Sequence, residues 1–124
     1  MSAILMSIKP EYVEKILSGE KKYEFRKVKA KKDNIDKIVI YATSPIKKVV
    51  GEVEVKEIME EDKNKLWNIT KDYSGTNKKS YDLYYKNSIK AIVYKLGKVT
   101  IYDKEKTLKD FKIKYAPQSY VYLD

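Results

Sequence analysis

Apolar residues come in short runs in this chain, and none is longer than Ile38-Val39-Ile40-Tyr41-Ala42. Such runs, rich in β-branched and aromatic residues and bounded by charges or turn formers, predict short strands. Ala3 to Ile8, Lys37 to Thr43, Val49 to Glu57, Ala91 to Leu96 and Tyr120 to Leu123 all fit. Val99 to Tyr102 either continues the fourth of these past Gly97 or pairs back on it. Helical patterns lie between the strands. Pro10 suits a first helical position, and Tyr12, Val13, Ile16 and Leu17 share one face after it. Gly19 suits the residue just past that helix, where positive φ is needed. The expectation is an α+β fold, a mixed and partly closed β-barrel of about six strands with three flanking helices. Residues 1–124 read as a single domain.

The same shortness of apolar runs predicts neither a signal peptide nor a membrane span. There is no Cys and no His. Thiol nucleophiles, disulfides, Cys/His zinc sites and imidazole triads are therefore excluded. No metal site or cofactor is expected. The lack of disulfides is compatible with a reducing cytoplasm. Net charge is +9, from 27 Lys and Arg against 18 Asp and Glu. That excess favours an anionic partner such as RNA, although a Lys-rich surface alone also produces it.

Further along, Arg26 to Lys32 is the densest basic run, and Asp33-Asn34 marks a turn. Gly51 inside a strand suggests a bulge or a close approach of another backbone, with Val49, Gly51, Val53 and Val55 on one face. The acidic cluster Glu57, Glu60, Glu61 and Asp62 reads as a helix N-terminus in preference to a metal site, since only carboxylates are offered, with Leu66, Trp67 and Ile69 as that helix's buried side. Ser80 can cap a second helix, on which Tyr81, Tyr84 and Tyr85 form a stripe. Leu108 and Phe111 read as one helical turn, and Ala116 to Ser119 as the turn before the last strand.

The chemistry concentrates between Leu17 and Lys27. A helix stops at Gly19 and a strand starts, with Tyr23 and Phe25 on one side and Lys22, Glu24 and Arg26 on the other. Lys21, Glu24 and Arg26 form one candidate cluster. Lys9 at the end of the first strand and Ser44 and Lys47 after the third would join it if those strand ends lie beside the second strand. Arg and Lys would engage phosphate oxygens, Glu24 would accept from a base amino group, and Tyr41, Tyr84 or Tyr85 would stack on a base. The plain alternative is that Glu24 and Arg26 make an exposed cross-strand salt bridge.

The pattern Gly19-x-Lys21-x-x-Glu24-x-Arg26, after a strand and a Pro10-initiated helix, resembles the ASCH domain family of the PUA-like superfamily. Tyr41-Ala42-Thr43-Ser44-Pro45, Val50-Gly51-Glu52-Val53 and Ala116-Pro117-Gln118-Ser119-Tyr120 fit it too. The resemblance implies a PUA-like barrel, a cleft holding Lys21, Glu24 and Arg26, and RNA binding linked to regulation of translation or transcription. Some members are enzymes. One branch deacetylates N4-acetylcytidine with a Lys, a Thr and a Glu; Lys21 matches its Lys, but Glu24 stands at its Thr. Others are associated with ribonuclease activity, for which Lys21 and Glu24 would be the catalytic pair. Three readings follow: an RNA- or nucleotide-binding module in the cytoplasm, a small hydrolase on RNA or a modified nucleoside, and a domain that binds acidic protein partners. No membrane partner is expected.

Overall fold

The computed structural model describes residues 2–32 and 34–123. The turn expected at Asp33-Asn34 therefore falls partly on Asp33, outside the described residues. The elements in chain order are β1 (Ser2–Ile8), α1 (Pro10–Ser18), β2 (Tyr23–Arg26), β3 (Ile35–Ala42), β4 (Lys48–Asp62), α2 (Lys63–Thr70), α3 (Lys78–Tyr84), β5 (Lys90–Lys106) and β6 (Tyr120–Tyr122). The six strands form one mixed sheet in the order β2-β5-β4-β3-β1-β6. β1 runs parallel to β3, and the other pairings are antiparallel. The fold is α+β as expected, but the sheet is not closed: β2 and β6 are its two edges.

Strand alternation sorts the core. Ile4, Met6 and Ile8 of β1, Ile38, Ile40 and Ala42 of β3, and Ile92, Tyr94 and Leu96 of β5 pack with Val13 and Ile16 of α1. The intervening residues Leu5 and Val39 go to another cluster, covered by Leu108, Phe111 and Ile113 after β5. A third cluster joins Ala91 and Val93 to Leu66 of α2 and Tyr81 and Tyr85 of the α3 segment.

Gly51 does sit at an irregularity, and its effect is larger than a local kink. The register shifts between Ile40 and Tyr41 on one side and between Val49 and Gly51 on the other. One extra residue reverses which face the following side chains reach. Val53 and Val55 thus pack in the cluster of α1, while Val49 packs with Leu5 and Tyr41. The single face expected for Val49, Gly51, Val53 and Val55 is corrected accordingly. A Cβ on Gly51 would lie 2.6 Å from the Thr100 carbonyl oxygen, so two backbones meet there.

Two other local expectations change. β4 runs on to Asp62, so Glu57, Glu60 and Glu61 belong to a strand paired with β5 rather than to a helix N-terminus. Met59, opposite Val93, supplies the apolar contact that extends it. Only Asp62 acts as a cap, accepting from the Asn64 and Lys65 amides. In α2, Leu66 and Thr70 are buried and Ile69 is exposed. The α3 cap is Asn77, which accepts from the Ser80 amide at 2.8 Å. β5 is a single strand through Gly97, and the turn Leu108–Phe111 is a 3-10 helix closed by a Thr107–Asp110 capping box.

Candidate nucleotide cleft

α1 ends at Gly19, whose φ of 88° is the left-handed turn that the missing Cβ permits. The chain then enters β2 through Lys21. Along β2, Tyr23 and Phe25 go to the aromatic cluster, which leaves Glu24 and Arg26 on the opposite side. Glu24 Oε2 accepts from Arg26 Nη2 at 2.7 Å and from Nε at 3.1 Å. This two-pronged contact fixes the guanidinium plane. Arg26 reaches further: Nη2 donates to the Ser7 carbonyl of β1 at 2.9 Å, and Nη1 to Ser119 Oγ, just before β6, at 3.4 Å. One side chain from edge strand β2 thus spans to the β1–β6 border. The pair is not the exposed salt bridge of the plain alternative, because the Glu24 side chain is 8% accessible and that of Arg26 15%.

Lys21 is buried. Its ammonium donates to the Ser74 carbonyl at 2.6 Å and lies 3.8 Å from Glu24 Oε1. The rings of Phe25 and Tyr12 face it at 4.6 Å and 5.1 Å. Loss of hydration lowers its pKa to about 8; Glu24 opposes that fall, and Lys15 and Arg26 add to it. Gly75 lets the loop come this close. Its φ is +72°, and a Cβ there would lie 2.7 Å from three carbons of the Lys21 stem. Lys15 of α1 holds the same loop by donating to the Gly75 carbonyl at 3.0 Å.

These groups line a cleft of about 760 Å³. β1 contributes Ser7 and Ile8, followed by Lys9; α1 contributes Glu11 and Tyr12. α3 supplies Ser80, Leu83 and Tyr84, and the approach to β6 supplies Pro117 and Gln118. Lys9, Lys21, Glu24 and Arg26 are therefore brought together. Ser44 and Lys47 are not: Thr43 lines the cleft, and they lie exposed on the turn beyond it. Tyr41 alternates with Ile40 and Ala42, so it is buried with Val39 and Val49, away from the cleft. Tyr85 is wholly buried, donating its hydroxyl to the Arg26 carbonyl at 2.8 Å. Neither ring offers a face to a guest. Tyr84, the other ring expected to stack, does, being 39% exposed at the cleft wall. The i, i+3, i+4 tyrosine stripe signalled that rings would gather there but not which of them would stay open.

With this geometry in view, the family model of the ASCH domain matches residues 6–106. The chain belongs to the ASCH domain family. It is 32% identical over 92 residues to an ASCH domain-containing ribonuclease of Zymomonas mobilis, a match covering 74% of this chain and 62% of that protein. A crystal structure of a mutant ASCH protein from Zymomonas mobilis superposes with a TM-score of 0.88 at 27% identity, covering 98% of this chain and 88% of the other. The ASCH domain is also 31% identical over 121 residues to an ATP synthase subunit alpha of Ureaplasma parvum. That match takes in 97% of this chain but only 15% of the Ureaplasma protein. Among the described residues no helix is long and apolar enough to cross a membrane, and no group of three acidic residues gathers for a metal.

Proposed function

We propose that this ASCH domain binds RNA, taking one nucleotide into the cleft floored by Lys21, Glu24 and Arg26. The supporting observation is that floor: two cations and a carboxylate, held within hydrogen-bond or ion-pair reach of each other at the base of a nucleotide-sized recess. Arg26 and Lys9 offer charge to a phosphate, and Glu24 Oε1, not engaged by Arg26, offers an acceptor to a base amino group. The exposed lysines from Lys27 to Lys32 would meet flanking phosphates. The resemblance to a Zymomonas protein named a ribonuclease supports RNA over an acidic protein surface. Regulation of the bound RNA would follow from occupancy of the cleft.

Fluorescence anisotropy with labelled single-stranded RNA tests this. Log affinity should fall linearly as log salt rises, and Lys9→Ala should flatten that slope by about one. Salt-independent binding, or none, rejects the reading.

A second reading, hydrolysis of RNA, is favoured by the low pKa of Lys21 beside Glu24. A ribose 2′-oxygen would attack the adjacent phosphorus while the Glu24 carboxylate takes its proton. Arg26 would face the developing charge, and the bond to the 5′-oxygen would break as that oxygen takes a proton from the Lys21 ammonium. Deacetylation of acetylcytidine has less support, because Glu24 presents a carboxylate already held by Arg26, not a hydroxyl. Mass spectrometry of RNA incubated with protein separates the two readings. Cyclic-phosphate termini that vanish with Lys21→Gln indicate catalysis, and intact RNA with retained binding indicates a binder.

A further inference from the structure

The cleft's charged floor leaves open what holds the base. Three of its aromatic residues are unavailable. Tyr12 and Phe25 face the Lys21 ammonium, and Tyr81 is 2% exposed. Tyr84 remains. One side of it packs against Tyr85, with ring centres 4.8 Å apart at 73°. The Lys27 ammonium lies 4.7 Å from its ring centre. Lys27 is exposed and makes no ion pair among the described residues. A cation over a solvent-facing ring is a weak contact, and a stacked base is a stronger one.

We propose that Tyr84 and Lys27 form a stacking subsite for one unpaired base. The base lies on the Tyr84 ring in place of the Lys27 ammonium, which moves to a neighbouring phosphate of the same strand. Stacking on a side chain needs an accessible base face, which a paired and stacked helix does not offer. The ligand class is therefore single-stranded RNA. This rests on the reading that the cleft binds RNA, and adds what selects single strands.

The test measures binding of one labelled RNA, single-stranded and as a duplex, to the wild type and to Tyr84→Phe, Tyr84→Leu, Lys27→Ala and Lys9→Ala. The single strand should bind more tightly than the duplex. Tyr84→Phe should bind as the wild type, and Tyr84→Leu ~10- to 100-fold more weakly with an unchanged salt slope. Lys27→Ala should flatten the slope by about one. Circular dichroism confirms that each variant is folded, and Tyr84→Ala replaces Tyr84→Leu if it is not. If Tyr84→Leu binds as the wild type while Lys9→Ala still flattens the salt slope, the cleft reading stands and the stacking subsite is rejected. Equal binding of duplex and single strand rejects it as well. If the wild type binds no RNA, both fall.

Discussion

Lys21 carries a testable cost. Its pKa is about 8 in the folded protein, against 10.5 for an unburied lysine. Between those values the unfolded chain binds the extra proton, so raising pH favours the folded form. Stability should therefore climb from about pH 8 towards pH 10 in the wild type relative to Lys21→Met, as read by urea unfolding of both. Above about pH 10 the sign reverses for another reason: burial raises the pKa of Tyr81 to about 12 and pushes the Tyr85 and Tyr102 phenols up as well, so unfolding releases their protons. Gly75→Ala should destabilise by more than ~1 kcal/mol, because the left-handed backbone and the Lys21 stem both oppose a methyl group. An unchanged urea midpoint would refute that. At this scale the sequence showed the charged trio plainly, since Gly19-x-Lys21-x-x-Glu24-x-Arg26 fixes both the turn and the strand face. It did not separate Tyr84 from Tyr41 and Tyr85. All three are tyrosines near the right elements, and only the neighbours that cover a ring decide whether it can receive a base.

Among the elements, the strands were legible wherever alternation was regular, as in β1 and β3. β4 was not, for two physical reasons. The extra residue at Gly51 swaps faces, so counting by twos from Val49 puts Val53 on the wrong side. Beyond Glu57 the acidic residues mimic a helix start, while the pairing partners that keep the strand going, Lys90 to Lys95, lie far along the chain. The cap of α3 shows the same limit, since Asn77 and Ser80 are both good capping residues. Asn77→Ala should cost about 1 kcal/mol and Ser80→Ala less than about 0.5 kcal/mol in thermal or urea unfolding. The reverse order would return the cap to Ser80.

In the molecule as a whole, the sheet's open border and the cleft are one feature. β2 and β6 do not pair, and the space near that border is lined by Glu24 and Arg26 on one side and by Ser7, Pro117 and Gln118 on the other. Arg26 crosses it. Arg26→Ala should cost about 3 kcal/mol, since it leaves the buried Glu24 carboxylate with Lys21 alone and the Ser7 carbonyl without its guanidinium donor. Arg26→Lys should recover little, because an ammonium cannot reproduce the planar fork on Glu24 while reaching Ser7. Equal urea midpoints for Arg26→Lys and the wild type would contradict this.

That crossing side chain acts as a buckle on an otherwise unfastened belt. A phosphate that drew the guanidinium toward itself, as the proposed RNA binding requires, would tug on both ends of the belt at once. Occupancy of the cleft and the hold between the sheet's two open edges would then depend on the same residue, Arg26.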